Sequence, residues 1–242
     1  MAVIELLNSK HKSKKKGYFV LVDPDKKTVD IEKIVKNVNR SFVDALLVGG
    51  SKCDKRGFNT FIKKLGSMTE TPLVIFPGSH DQISRSADAI LLLSLLNSLS
   101  LKHVIGEHIN GAKKIVKSGI EVIPTAYIVM DRSGKTSVSQ AAQIMKLVNN
   151  RDVDRYLYAS AMMSYKVVYL EAGSGSEKTI PESVIKRAGD IIDKPIIVGG
   201  GIRDVKTAKR ILSAGADYIV TGNAIENDPD LILDFGALVK GF

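Results

Sequence analysis

The stretch Pro195-Ile-Ile-Val-Gly-Gly-Gly-Ile-Arg-Asp204 is a short apolar run that ends abruptly at three glycines and leads into a helical pattern. The same arrangement returns at Ala216-Asp-Tyr-Ile-Val-Thr-Gly-Asn-Ala-Ile225. Two such corners in succession are typical of the phosphate site after the seventh and eighth strands of a (β/α)8 barrel. Glycine lets backbone N–H groups approach an anion, and a helix N-terminus adds partial positive charge. The two corners therefore predict a phosphorylated ligand, with glycines merely tolerated in a loop as the weaker alternative.

The rest of the chain alternates short apolar runs with segments whose apolar residues recur at helical spacing. Such alternation is typical of parallel βα units. Eight candidate strands are present, the number that a closed barrel requires. They cover residues 18–22, 43–48, 73–76, 89–93, 120–128, 167–170, 196–198 and 218–220. With 242 residues and no composition break, we expect a single α/β domain over residues 1–242, a (β/α)8 TIM barrel.

One unit of this predicted barrel is irregular. Only residues 77–87 separate the third and fourth strands, and this is too short for a complete crossover helix. We therefore expect a modified barrel whose third helix is shortened or replaced. Local trimming of the fold and a functional groove explain the gap equally well.

Local residue patterns predict several of the helices. The spacing of apolar residues predicts helices over residues 101–116 and 138–145. Thr179 and Glu182 have the spacing of a capping box, which would open another helix. Asp228-Pro229 is a suitable cap and first turn for the last one.

The chain has a formal net charge of +9, which favours anionic partners. Part of the excess is local, in Lys10-His-Lys-Ser-Lys-Lys-Lys16. A solvated basic arm is the favoured interpretation of this run, and a transient contact with a membrane surface or with RNA is the alternative. The chain has no Trp and no stripe of interleaved aromatic and basic residues. We therefore expect no nucleic-acid partner.

A lone cysteine, Cys53, excludes an intrachain disulfide framework and indicates a reducing compartment. No apolar run has the eighteen or so residues that a membrane span needs. The apolar stretch 2–7 contains Glu5 and precedes the lysines, unlike a signal peptide. We expect a cytoplasmic protein in which Cys53 is a packing residue.

Carboxylates follow the first predicted strand directly, in Asp23-Pro24-Asp25. Active sites of this architecture lie at the C-terminal ends of the strands. Mg²⁺ takes oxygen ligands and often bridges a carboxylate to substrate phosphates, so Asp23, with Ser51 after the next strand, offers two of them. On this motif alone, ordinary turn chemistry is the stronger interpretation.

The stretch Tyr169-Leu-Glu-Ala-Gly-Ser-Gly175 places a carboxylate after the sixth strand, next to a glycine loop. Glu171 is placed to accept a proton from a substrate hydroxyl, and the glycine amides are placed to bind an anion. A plain turn with a surface glutamate is the alternative. The four histidines lack metal-ligand spacing, and His108 is interpreted as a satisfied helix residue.

Seven motifs, taken together and in this order, resemble the geranylgeranylglyceryl phosphate synthase family, which includes bacterial heptaprenylglyceryl phosphate synthases. Tyr169-Leu-Glu-Ala-Gly-Ser-Gly175 is the most specific of them. The others are Val22-Asp-Pro-Asp-Lys26, Leu47-Val-Gly-Gly-Ser51, Leu95-Leu-Asn-Ser98, Ile123-Pro-Thr-Ala-Tyr127, Val198-Gly-Gly-Gly-Ile-Arg203 and Val220-Thr-Gly-Asn-Ala224. The resemblance covers nearly the whole chain.

The resemblance implies a modified barrel that joins a polyprenyl diphosphate, such as geranylgeranyl diphosphate, to the sn-3 hydroxyl of sn-glycerol 1-phosphate. The reaction implied forms an ether bond and releases pyrophosphate, as a step of phospholipid biosynthesis. The resemblance also implies Mg²⁺ at Asp23 and Ser51, Glu171 as the catalytic residue, and a homo-oligomer, dimeric or larger. The glycerol phosphate contacts that it implies are Tyr169, Leu170, Glu171, Ala172, Gly173, Ser174, Gly175, Gly200, Gly201, Gly222 and Asn223.

One departure from the family pattern and two rival functions remain. Some members carry a lysine two residues before the first aspartate, where this chain has Leu21. The first rival is another phosphate-binding TIM-barrel enzyme, a sugar-phosphate isomerase or a flavin enzyme. The second is a non-catalytic basic protein that binds RNA or membrane through residues 10–16.

Overall fold

A computed structural model of the chain describes residues 1–26, 29–50, 55–130, 142–147 and 149–242. Within these ranges, eight parallel strands close into a barrel in chain order, and β1 completes the ring by pairing with β8. The strands are β1 (Gly17–Val22), β2 (Ala45–Val48), β3 (Leu73–Ile75), β4 (Ala89–Leu95), β5 (Glu121–Val129), β6 (Val167–Glu171), β7 (Ile196–Gly199) and β8 (Tyr218–Thr221). The predicted (β/α)8 barrel is confirmed.

Helices follow most strands and form the outer layer. In the described residues they are α1 (Val3–Lys12), α2 (Ile31–Val38), α3 (Lys55–Gly66), α4 (Glu107–Ser118), α5 (Asn150–Met162), α6 (Glu182–Ile191), α7 (Val205–Ser213), α8 (Asn223–Asn227) and α9 (Leu231–Lys240). A π-helical turn, Lys102–Gly106, leads into α4. None of the described helices combines the length and the apolar composition that a membrane span requires.

The strand period of two residues divides the core into two layers. Phe19 and Tyr169 belong to the cluster inside the barrel. Val20 and Leu170, their neighbours along the chain, belong to the cluster between strands and helices. Because alternate residues face the two layers, every second residue of a strand points towards the barrel axis.

Two predicted helix starts are wrong. The Thr179 capping box does not form, because α6 begins at Glu182 after Pro181, which has no side-chain acceptor. The Glu182 carboxylate instead accepts a hydrogen bond from Arg210 on α7, at 2.9 Å. The last helix, α9, begins at Leu231, two residues later than Asp228-Pro229 predicts.

Helix α1, which the periodicity did not reveal, closes the N-terminal end of the barrel. Val3 and Leu7 pack into the interior cluster, and the backbone N–H of Val3 donates to Glu121, the first residue of β5, at 2.6 Å. Lys10 donates to Asp44 at 2.7 Å, and Nδ1 of His11 lies 2.8 Å from Asp217. The interpretation of residues 10–16 as a solvated arm is therefore wrong in part, since its first residues fasten α1 to strand ends.

The helix that would follow β3 is absent, as the sequence predicts. Residues 76–88, all of them described, contain no helix and connect β3 to β4 through turns. The predicted helix over residues 101–116 is present as the π-helical turn and α4. Residues 138–141, half of the helix predicted over residues 138–145, lie outside the described residues, as does Cys53; the prediction is wrong for residues 143–145, which are not helical.

Candidate functional site

A cavity of about 540 Å³ lies at the C-terminal ends of the strands. It is lined by most of the residues that the sequence singles out, although they come from four different strand ends. Those that line it are Asp23, Tyr169, Glu171, Ser174, Gly175, Gly200, Gly201, Gly222 and Asn223. Leu170 and Ala172 do not line it, because their side chains belong to the layer between strands and helices. Gly173 takes part in the site through its backbone N–H, which donates a hydrogen bond to the Glu171 carboxylate.

Three loops meet at one end of this cavity. The loop after β6 contacts the loop after β8 through Ser174, whose hydroxyl lies 3.4 Å from Oδ1 of Asn223. The loop after β7 reaches the same place through Arg203, whose Nη2 donates to the carbonyl oxygens of Gly175 and Ser176 at 3.3 and 3.1 Å. The glycine corners therefore form a single polar pocket.

Arg203 was missed as a site residue by the sequence reasoning. It lines the cavity and ties two loops together. The signal was present, because Arg203 ends the triple-glycine stretch. The glycines before it account for anion binding by backbone amides alone, so the sequence gives Arg203 no separate role.

Gly200 allows the β7 loop to rest directly on Glu171. Its φ is +84°, a conformation that side chains disfavour. A Cβ atom at this position would lie 2.4 Å from Oε1 of Glu171 and 2.8 Å from the backbone nitrogen of Gly173. Only glycine fits this close approach without displacing the neighbouring loop.

Glu171 ends β6 with its side chain turned towards the cavity, and it is only 7% exposed. Its carboxylate accepts hydrogen bonds from the backbone N–H of Gly173, at 2.6 Å, and from the Tyr169 hydroxyl. Burial raises the pKa of Glu171 to about 7, although both hydrogen bonds act in the opposite direction. A carboxylate with such a pKa takes up and releases protons near neutral pH, which suits a general base.

Aromatic rings line the cavity beside Glu171. The ring centroids of Phe76, Tyr127 and Tyr169 lie between 5.2 and 5.8 Å apart. Burial, followed by the charge of Glu171, holds the pKa values of both tyrosines well above their usual range. Tyr127 belongs to one of the family motifs, but its place beside Glu171 depends on the register of β5 against β6, in which Tyr127 pairs with Tyr169. Its phenol is a neutral donor facing a buried carboxylate.

Two carboxylates converge after β1. A Cβ atom on Gly50 would lie 2.3 Å from Oδ1 of Asp23 and 2.7 Å from Oδ2 of Asp25, so the absence of a side chain makes room for both. Burial, and then the charge of Asp25, raise the pKa of Asp23. These hard oxygen donors fit Mg²⁺, which would relieve that repulsion.

The remainder of the expected metal site is not described. Ser51, the second predicted ligand, lies outside the residues that the structure covers. Among the described residues, no group of three or more His, Cys, Asp or Glu side chains is arranged to hold a metal. A cation at Asp23 would thus depend on oxygens of the substrate for part of its coordination.

An apolar arm of the cavity extends into the gap left by the missing helix. Ile90 and Leu92 point outwards from β4, and with Ile83 and Ile115 they line this arm. In a regular barrel a helix would cover these outward side chains. The arm therefore exists because residues 77–87 are too short to fill the space.

Two histidines near this arm have hydrogen-bond partners within the protein. His80 donates its backbone N–H to Glu107 at 2.6 Å, and its Nδ1 lies 2.7 Å from the same carboxylate. His108 is a satisfied helix residue, as predicted, with Nε2 lying 2.8 Å from the carbonyl oxygen of Leu93.

Comparisons with known proteins agree with this geometry. Residues 10–240 match the sequence profile of the PcrB family. A geranylgeranylglyceryl phosphate synthase from Chitinophaga pinensis is 38% identical over 227 residues, which cover 93% of this chain and 90% of that protein. The Pyrococcus horikoshii enzyme of the same name is 38% identical over 220 residues, with coverages of 90% and 87%.

A solved structure extends the similarity to three dimensions. The (S)-3-O-geranylgeranylglyceryl phosphate synthase of Thermoplasma acidophilum, crystallised with its substrate sn-glycerol-1-phosphate, superposes with a TM-score of 0.94. It is 33% identical, and the match covers 100% of both chains. The wild-type enzyme of Thermoplasma volcanium gives a TM-score of 0.90 at 35% identity, covering 100% of this chain and 99% of that one.

Proposed function

Because this chain belongs to the PcrB family, we propose that it is a prenyltransferase that joins a polyprenyl group to the sn-3 hydroxyl of sn-glycerol 1-phosphate. The observation that carries this proposal is the shape of one cavity. Its polar end is built from three glycine-bearing loops, its other end is an apolar arm, and Glu171 lies where the two meet. A small phosphate ester and a long hydrocarbon chain are the two ligands that such a cavity suits.

The glycerol phosphate binds at the polar end in this proposal. Backbone amides around Gly200, Gly201 and Gly222 face the phosphoryl group, and Ser174 and Asn223 close the pocket from the other side. Arg203 holds the loop that carries Ser174 in place. Fixing the substrate in this way brings its sn-3 hydroxyl close to Glu171, which removes much of the entropic cost of the reaction.

Bond formation follows from this arrangement. The sn-3 oxygen attacks carbon one of the prenyl group, the bond from that carbon to the diphosphate oxygen breaks, and pyrophosphate leaves with the electron pair. The hydroxyl proton passes to Glu171, whose raised pKa suits it as the acceptor. The rings of Phe76 and Tyr127 shield the reacting carbon from water and present π-electron density to the positive charge that develops there.

We expect Mg²⁺ at Asp23, where it would neutralise charge on the diphosphate as that group leaves. Ser51 is the second ligand that the family resemblance implies, and the Asp25 carboxylate lies beside that of Asp23. Leu21 replaces the lysine of some relatives, so less protein charge is present on this strand to balance the diphosphate. The dependence on Mg²⁺ is part of the proposal.

The hydrocarbon tail lies along the apolar arm in this proposal, and geranylgeranyl diphosphate is the expected donor. Ile83, Ile90, Leu92 and Ile115 replace water around the chain. Burial of each methylene group stabilises the complex by about 0.8 kcal/mol. The arm also argues against a sugar-phosphate isomerase, whose substrates carry no such tail.

The experiment that tests the function is a product assay. The purified protein is incubated with sn-glycerol 1-phosphate and with prenyl diphosphates of graded length, and the ether lipid and pyrophosphate are quantified. We expect an acid-stable prenyl ether in the presence of both substrates and none with the Glu171→Gln variant. Release of pyrophosphate without the ether product would refute the proposal. The homo-oligomer and the cytoplasmic location stay predictions.

A further inference from the structure

The helical segment of residues 101–118, made of the π-helical turn and α4, carries an apolar outer face. Leu101, Ile105, Ile109 and Val116 recur at intervals of four and seven residues, so they share one side of the helix. Their exposed fractions are 77%, 46%, 68% and 81%. Large apolar side chains that share an exposed face mark an interaction surface. We call these four residues the outer stripe.

Cationic side chains border the outer stripe. Lys113 and Lys117 are exposed on α4, on the flank of the stripe. Glu107 is the only acidic residue in segment 101–118, and its side chain is mostly buried against His80. A helix with an apolar face and a basic flank is typical of helices that lie in the interface of anionic membranes. Charge complementarity therefore favours an anionic lipid surface as the partner.

The opposite face of the same segment forms part of the cavity. His103, Glu107, His108 and Ile115 line it. The segment is thus a single wall, with the apolar arm on its inner side and the outer stripe on its outer side. A membrane that contacts the outer stripe lies one helix diameter, about 10 Å, from the arm.

We propose that the outer stripe docks this protein on an anionic lipid surface, beside the entrance of the apolar arm. This purpose rests on the proposed function, since a polyprenyl donor and an ether-lipid product both partition into lipid. The docking itself is a separate property and is measured without substrate. It also assigns membrane contact to a different surface from residues 10–16, whose first residues are tied to the N-terminal end of the barrel.

Vesicle binding tests the proposal. The full chain is sedimented with phosphatidylcholine vesicles, with and without added phosphatidylglycerol. We expect binding to the anionic vesicles that weakens as salt rises. The double variant Ile105→Ser/Ile109→Ser should bind at least about tenfold more weakly, because two apolar side chains no longer enter the interface. Replacing Lys113 and Lys117 by glutamine should weaken binding about fivefold for each charge removed.

A matched control separates docking from general changes in apolar surface. Leu233 is 39% exposed on α9, which packs against α2, α7 and β1, on the far side of the barrel from β4 and β5. The Leu233→Ser variant should bind vesicles like the wild type. Circular dichroism and thermal unfolding confirm that each variant is folded.

Two outcomes would overturn the docking proposal. One is unchanged vesicle binding by Ile105→Ser/Ile109→Ser. The other combines two results: the wild-type protein does not bind anionic vesicles, and it sediments as a dimer whereas the double variant sediments as a monomer. That outcome would assign the outer stripe to contact with a second copy of the chain. Prenyl transfer is assayed in parallel with a short, water-soluble prenyl diphosphate and no vesicles. Its absence in the wild type would refute the proposed function, whereas the variants should keep wild-type turnover.

Discussion

Gly200 covers Glu171 so closely that a Cβ atom at position 200 would lie 2.4 Å from Oε1 of the carboxylate. The glycine corner after β7 and the acid at the end of β6 are therefore one structural unit. The β7 loop, which forms part of the polar pocket, lies directly on Glu171. A substitution at Gly200 is therefore expected to affect both Glu171, the proposed base, and the proposed phosphate pocket.

Replacing Gly200 by alanine should disrupt both at once. The positive φ and the contacts with Glu171 and Gly173 force the β7 loop to move. We expect KM for sn-glycerol 1-phosphate to rise at least about tenfold, which is the effect of losing one or two good hydrogen bonds. Gly189→Ala on α6 is the matched control, because nothing lies within 4 Å of its Cβ position. Steady-state kinetics of both variants provide the measurement, and equal KM values would contradict the packing argument.

The pH dependence of turnover follows from the raised pKa of Glu171. A base must be ionised to accept a proton, so activity should fall as the pH drops below about 7. With both substrates saturating, kcat should decrease about tenfold for each pH unit below that value. Glu171→Gln should be inactive across the whole range yet still bind sn-glycerol 1-phosphate in calorimetry. A kcat that is flat from pH 5 to pH 8 in the wild type would remove Glu171 from the role of base.

The barrel and its strand order were predictable because they depend on patterns that neighbouring residues carry. Apolar runs that end at glycine or aspartate mark the strand ends, and the short segment 77–87 marks the missing helix. Every observed strand end lies within two residues of the predicted one. The absence of a helix after β3 was predictable from the number of residues between β3 and β4 alone.

Contacts between distant parts of the chain were not predictable in the same way. Lys10 looks like part of a solvated run until Asp44 is seen beside it, 34 positions along the chain. Tyr127 and Arg203 occur within motifs, but their roles depend on the register of β5 against β6 and on the path of the loop after β6, which the order of the strands does not determine. Thr179 does not cap α6, because Pro181 occupies the N-cap position. A local pattern does not show which of these two residues stands at that position.

Removal of the Asp23 carboxylate tests the proposed cation. Asp23→Asn should weaken Mg²⁺ binding in the presence of an unreactive diphosphate at least about tenfold, since the expected ligand loses its charge. Binding of sn-glycerol 1-phosphate should stay within about twofold of the wild-type value, because that ligand lies at the polar end. Asp190→Asn, an exposed position on α6, is the control. Calorimetric titration measures both affinities, and identical Mg²⁺ affinities in the two variants would exclude Asp23 as a ligand.

Arg203 is expected to act by positioning the loop after β6. Its guanidinium donates to the carbonyl oxygens of Gly175 and Ser176, so its loss should loosen that loop without removing the base. For Arg203→Met we expect KM for sn-glycerol 1-phosphate to rise about tenfold or more, with kcat largely kept. Arg203→Lys should recover part of the loss, because lysine reaches one carbonyl but not both. A large fall in kcat with an unchanged KM would instead indicate a direct part in the chemistry.

The apolar arm should set the length of chain that the enzyme accepts. Leu92 points outwards from β4 into this arm, and replacing it with tryptophan adds bulk where the tail must lie. Leu92→Trp should leave turnover of a short prenyl diphosphate within about twofold of wild type. It should lower kcat/KM for the geranylgeranyl donor at least about tenfold, the cost of excluding two or more methylene groups from the arm. Leu233→Trp, on the far side of the barrel, controls for the bulky substitution itself. If both donors were affected equally, the tail would have to follow another path, because a block within the arm acts only on chains long enough to reach it.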